Sequence, residues 1–186
     1  MRFIAALAVA VLSATGAPPA EPLEIGGRVP EFGGRTPDGQ AFSLSGALRS
    51  HRAVAVVFLS TLCPYARSYG AHLEELGKRY GSQGLVLIGV NSNVREGPEE
   101  VGADARRRGY TFPILKDADD SIADALGANV TPEAFVIDAS QHLRYQGRVK
   151  SKQGATDLED AVDAVIAGRR VKTPVAKAFG CAIQRE

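Results

Sequence analysis

Two short runs, Ala53-Val54-Ala55-Val56-Val57-Phe58-Leu59 and Leu85-Val86-Leu87-Ile88-Gly89-Val90, are apolar on both faces. A strand with one wet face alternates apolar and polar residues. A strand without alternation is covered on both sides, as in a parallel sheet layered by helices. Between the runs, Ala66, Tyr69, Leu73, Leu76 and Tyr80 fall three or four apart, with Arg67, His72, Glu74, Glu75, Lys78 and Arg79 on the opposite face. The spacing predicts one helix ending near Gly81 and Gly84. Strand, helix and strand in this order make a right-handed crossover unit.

The alternation continues. Pro98-Glu99-Glu100 opens a helix with proline and acids in its first turn, and Arg106-Arg107-Arg108 before Gly109 closes it. That arginine run reads as a solvated helix end. Phe112 to Leu115 is a short strand, Asp119 to Leu126 a short helix, and Ala134 to Asp138 a further strand. Leu143, Tyr145 and Val149 interleave with Arg144, Gln146 and Arg148, as in a half-exposed antiparallel strand. Thr156-Asp157-Leu158-Glu159 is a capping box for a last helix with Leu158, Ala161, Val162, Val165 and Ile166 inward. Ala41 to Leu44 reads as an edge strand after the Pro37-Asp38-Gly39 turn. The expected class is α/β, with a central mixed sheet flanked by helices.

In such sheets chemistry lies beyond the carboxyl ends of the strands. The first buried strand ends at Leu59-Ser60-Thr61, and Cys63-Pro64 follows. Cys63 therefore sits at the functional edge and at a helix start, where unpaired N–H groups favour a thiolate. Pro64 fits the first turn because its missing N–H costs nothing there. Ser60 and Thr61 have two readings: a hydroxyl donating to the thiolate, or one satisfying local backbone.

The segment Phe58-Leu59-Ser60-Thr61-Leu62-Cys63-Pro64-Tyr65-Ala66 and the segment Val130-Thr131-Pro132-Glu133-Ala134-Phe135-Val136-Ile137-Asp138 resemble the thioredoxin superfamily. Within it they are closest to the redoxin branch, which holds the alkyl hydroperoxide reductase and thiol-specific antioxidant proteins. The resemblance runs from about Gly27 to Val149 and implies a thioredoxin-like fold. It implies a cis peptide before Pro132, and a Thr131-Pro132 loop that presents backbone to a bound thiol or peptide. Several positions depart from the relatives. Ala66 stands where thioredoxins carry a second cysteine, and Val57 where they carry a buried acid. The peroxiredoxin Pro-x-x-x-Thr-x-x-Cys signature becomes Val56, Ser60 and Cys63, and the peroxide-polarising arginine aligns with Pro132. Arg67 occupies the second cysteine position of copper-delivering relatives.

Cys181 then separates a one-thiol from a two-thiol cycle. It either resolves an intermediate on Cys63, forms a static bridge, pairs with another protein, or is inert. The implied activity is a thiol-dependent oxidoreductase whose Cys63 attacks a disulfide or a peroxide, with exchange ranked ahead of peroxidase because Pro132 replaces the arginine. The alternative is a non-catalytic peptide-binding module. The candidate catalytic residues are Cys63 and Cys181; Thr131, Pro132, Ser60, Thr61 and Pro64 form the candidate substrate-binding set. No metal or cofactor is expected. The expected partners are a dithiol reductant protein and a disulfide or peroxide substrate.

Met1-Arg2, the apolar run Phe3 to Leu12 and the small residues after it have the shape of a secretory signal. The run is shorter than the roughly 20 apolar residues that a bilayer span needs. The expected division is a signal peptide at 1–16, a redoxin domain at 25–170 and an irregular tail at 171–186 carrying Cys181. The expected location is the periplasm or the exterior, with no stable membrane span after cleavage. A net charge of +1 gives no electrostatic footprint for nucleic acid. Two cysteines exclude a disulfide-dense scaffold, and the three histidines, His51, His72 and His142, lack ligand spacing.

Overall fold

The computed structural model describes residues 23–151, 154 and 156–185; the signal segment expected at 1–16 lies outside them. The strands are β1 (Gly33–Arg35), β2 (Ala41–Ser43), β3 (Ala53–Phe58), β4 (Leu85–Asn91), β5 (Ile114–Lys116), β6 (Val130–Thr131), β7 (Glu133–Asp138), β8 (Leu143–Gly147), β9 (Val175–Ala176) and β10 (Cys181–Ala182). The helices are α1 (Leu44–Leu48), α2 (Pro64–Ser68), α3 (Gly70–Gly81), α4 (Pro98–Arg108), α5 (Ser121–Leu126) and α6 (Asp157–Ile166). Six strands form the central sheet in the order β5-β4-β3-β7-β8-β9. β3, β4 and β5 run parallel, while β7 is antiparallel to β3 and β8 antiparallel to β7. The sheet is mixed, as the alternation predicts.

Every residue of β3 is buried because the pleat sends alternate side chains into two separate cores. Ala53, Ala55 and Val57 face a cluster with Leu73, Leu76 and Tyr80 of α3, Val101 of α4, and Leu158, Ala161 and Val162 of α6. Val54, Val56 and Phe58 face the other, with Leu44 of α1 and Ile122, Ala123 and Leu126 of α5. Phe58 meets Phe135 of β7 edge to face, with ring centroids 5.7 Å apart.

Four expectations differ from the structure. The helix after Cys63 is two helices, broken at Tyr69. Ser68 Oγ donates to the Tyr65 carbonyl at 2.8 Å, a local bond that competes with continued helix. Gly70 then lies against Tyr110, where a Cβ would stand 2.4 Å from Oη. His72, placed by its spacing on the face away from the core, is half-buried: its Nε2 is enclosed without a partner among the described residues. Burial, followed by the charge of Lys150, lowers its pKa. The capping box is not closed, since Thr156 makes no cap bond and Glu159 pairs with Arg79. Finally, residues 171–185 are not an irregular tail. β9 adds to the central sheet beside β8, and β10 pairs with β6.

Candidate active site

The chain leaves the carboxyl end of β3 through Leu59-Ser60-Thr61-Leu62, and Cys63 is the residue that caps α2. Pro64 occupies the first helical turn, where it is exposed. The turn has a definite scaffold. Ser60 Oγ accepts the backbone N–H of Leu62 at 3.2 Å and of Cys63 at 3.1 Å. Ser60 donates its own proton to Glu96 Oε1 at 2.5 Å. The other oxygen of Glu96 accepts Thr61 N–H at 2.6 Å and Asn91 Nδ2 at 2.7 Å. Thr61 Oγ1 donates to Glu100 at 3.1 Å. Of the two readings of these hydroxyls, the structure gives the local one for Ser60; neither hydroxyl is bonded to the Cys63 sulfur.

Glu96 is 2% exposed and is the residue that the sequence did not single out. A buried carboxylate persists when donors surround it, and here Ser60, Thr61 and Asn91 do so. Lys116 extends the cluster, donating to Asn91 Oδ1 at 3.1 Å and to the Asn93 carbonyl at 2.7 Å. Relatives suggest a search for an acid on β3, where Val57 stands. The acid sits instead in the loop after β4. The usable signal was the polar run Asn91-Ser92-Asn93 closing an apolar strand.

The Thr131–Pro132 peptide is cis. The Cys63 thiol donates to the Thr131 carbonyl at 3.0 Å. β10 places Cys181 directly opposite Thr131 in antiparallel register, and the Thr131 hydroxyl donates to the Cys181 carbonyl at 3.5 Å. Cys63 and Cys181 thus both meet one residue, and both are free thiols. Ser60, Thr61, Cys63, Pro64, Thr131, Pro132 and Cys181 all lie at this one edge. Arg67 is exposed in the last turn of α2.

The two sulfurs differ in acidity. Burial pushes Cys63 up, but the Cys181 thiol, the Ala66 N–H and the Thr131 hydroxyl together leave it below its ordinary value. Burial, the interaction with Cys63 and the charge of Glu96 push Cys181 up to about 11. The site therefore sets a more acidic Cys63 beside a less acidic Cys181. α2 has five residues, so its dipole contributes little, and discrete donors set the acidity.

The sequence pattern of the AhpC/TSA family matches residues 25–146. The chain is similar to the thiol-disulfide oxidoreductase ResA of Geobacillus thermodenitrificans, 33% identical over 119 residues, 60% of this chain and 66% of the relative. It is also similar to the glutathione peroxidase-like peroxiredoxin GPX5 of Chlamydomonas reinhardtii, 34% identical over 105 residues, 52% of this chain and 63% of the relative. It spans about half to two thirds of the length of such relatives. Among solved structures, a hypothetical protein of Sinorhizobium meliloti 1021 superposes with a TM-score of 0.81 at 33% identity, covering 89% of this chain and 97% of that one. The fold is thioredoxin-like.

Proposed function

The chain belongs to the AhpC/TSA family, and on that premise we propose that it is a two-thiol oxidoreductase in which Cys63 is the nucleophile and Cys181 the resolving thiol. The observation that carries this reading is the convergence of both cysteines on Thr131, the more acidic one at the end of β3. The Cys63 thiolate attacks a disulfide R–S–S–R′, forming Cys63–S–S–R and expelling R′S⁻, which takes a proton from solvent. Cys181 then attacks the Cys63 sulfur and gives up its proton, RS⁻ leaves, and a Cys63–Cys181 disulfide remains. A dithiol protein returns the two electrons and is itself oxidised.

Thr131 has two roles in this cycle. Its carbonyl holds the Cys63 proton in the resting thiol, and its pairing with Cys181 keeps the second sulfur within reach. The carbonyl contact must be released when Cys63 ionises, and the proton of Cys181 then replaces it at the sulfur. Ser60 and Glu96 hold the turn that aims Cys63 and do not touch the reacting sulfur.

A peroxidase reading is supported by the similarity to a named peroxiredoxin and by the enclosure of Cys63, which is 1% exposed. There the thiolate attacks the terminal oxygen of ROOH, the O–O bond breaks, and ROH leaves after protonation. Cys181 then displaces water from the sulfenic acid. Export to an oxidising compartment, inferred from the Met1 to Gly16 pattern, belongs to the same proposal, as does a domain bounded at 25–170.

The test is mass mapping of the protein after one equivalent of a low-molecular-weight disulfide, and separately of hydrogen peroxide. A Cys63–Cys181 bridge is the expected product. Cys63→Ser abolishes it, and Cys181→Ser arrests the reaction at a mixed disulfide or sulfenic acid on Cys63. Reaction at Cys181 in the Cys63→Ser protein at the wild-type rate would reverse the assignment. The faster of the two oxidants names the chemistry.

A further inference from the structure

The strand edge beside the nucleophile is already occupied, by the chain itself. β10 lies along β6 with Cys181 opposite Thr131 and Ala182 opposite Val130. Ile183 N–H continues the ladder to the Asn129 carbonyl at 2.9 Å. Beyond it, Gln184 N–H reaches Asn93 Oδ1 at 3.0 Å, and the Gln184 carbonyl accepts Val94 N–H at 2.9 Å. The Ile183 side chain is buried in the core that holds Phe58. Phe179 meets Tyr65, two residues past Cys63, edge to face with centroids 6.2 Å apart. Gly180 lies so close to the Thr131 carbonyl that a Cβ would stand 2.0 Å from its oxygen. With the segment seated, Cys63 and Thr131 are each 1% exposed.

An open strand edge beside a reactive thiol is a docking template for an extended polypeptide, which adds as another strand. Here that template is filled along its length by residues 180–184. We propose that this C-terminal strap is the specificity-determining element of the site: seated, it admits compact electrophiles to Cys63 and excludes extended polypeptide disulfides. Cys181 is then the one strand-borne thiol that reaches the nucleophile. The inference rests on the proposal that Cys63 is the nucleophile, and it adds the class of molecule that Cys63 meets.

The experiment compares two full-length proteins, Cys181→Ala and Gly180→Ala/Cys181→Ala, which share the loss of the second thiol. Gly180→Ala forces a methyl against the Thr131 carbonyl and unseats the strap. Each protein is treated with methyl methanethiosulfonate, which places S–CH3 on Cys63 and releases methanesulfinate. Each is also treated with an unstructured cysteine peptide activated as its 2-thiopyridyl disulfide, which transfers the peptide sulfur to Cys63 and releases 2-thiopyridone. The rate at a gated site scales with its open fraction. The peptide reaction is therefore expected to rise about tenfold or more on unseating the strap, while the compact reagent changes little. Ile183→Ala/Cys181→Ala, which loosens the strap at its core anchor instead, moves the peptide rate in the same direction. Equal peptide rates in the seated and both loosened proteins overturn the strap and leave the assignment of Cys63 intact. Failure of both reagents to label Cys63 at neutral pH in all three proteins overturns that assignment, and the strap with it.

Discussion

At the scale of single residues, the acidity of each thiol is partly the work of the other. Cys181 holds its proton toward Cys63, so Cys181→Ala removes a donor that lowers Cys63. The titration of Cys63, followed by thiolate absorbance or alkylation rate against pH, is expected to move upward in that variant. Conversely, Cys63→Ser removes the neighbour that helps raise Cys181 to about 11, and Cys181 is expected to titrate lower. A shift in one protein only would mean that the sulfurs do not interact. Glu96→Gln presents an amide NH2 to donors that now meet a carboxylate, leaving at least one of Ser60, Thr61 and Asn91 unpaired. Each orphaned buried donor costs about 1–3 kcal/mol, so urea denaturation is expected to show a loss of about 2–3 kcal/mol. Cys63 and the Thr131-Pro132 pair were legible because each is local: a thiol directly after a buried strand, and a dipeptide directly before another. Glu96 was not, because its partners Ser60 and Thr61 lie 36 and 35 residues away, and only the crossover brings them together.

At the scale of elements, period and punctuation carried the reading of β3, β4, α4 and β7. Two of the misreadings involve a tertiary partner that overrides a local pattern. Glu159 has the spacing of a capping residue but is taken by Arg79. Tyr69 has the spacing of mid-helix, but the helix breaks there because Gly70 must lie against Tyr110, itself stacked on Phe112 with centroids 5.0 Å apart. Gly70→Ala would gain about 1 kcal/mol on helix propensity alone. The overpacking against Tyr110 costs about 1–3 kcal/mol, so the variant is expected to be the less stable in thermal unfolding. A different element depends on a single carboxylate. Asp117, 3% exposed, accepts Ile122 N–H at 3.1 Å, Ala123 N–H at 3.0 Å and Ser92 Oγ at 2.7 Å. It ties the first turn of α5 to the end of β4. Asp117→Ala is expected to lose about 2–3 kcal/mol, read as a lower urea midpoint.

At the scale of the whole molecule, the sheet order and the two cores follow from which runs lack alternation. The course of residues 171–185 does not, because two-residue strands carry no period. Ala176 and Ile183 are anchored by their burial against distant elements. Alkaline pH tests the assembled fold. Cys181 and Tyr145 are both held neutral, the phenol by burial, and its hydroxyl donates to the Arg148 carbonyl at 2.6 Å. A raised folded pKa contributes stability below the unfolded value and loses it as pH climbs to the folded value. The protein is therefore expected to weaken from about pH 9 upward, and Tyr145→Phe to blunt part of that loss in denaturant titrations.

The position of Cys181 in the chain carries one more consequence. Joining it to Cys63 would tie a lasso of 119 residues, counted from Cys63 to Cys181, and such a closure removes denatured-chain entropy worth about 4–5 kcal/mol at 25 °C. The electron count at the site is thereby written into the melting curve. A sample in which the two cysteines are joined is expected to unfold at markedly higher denaturant and temperature than its reduced counterpart, so that unfolding alone reads whether the bridge has formed.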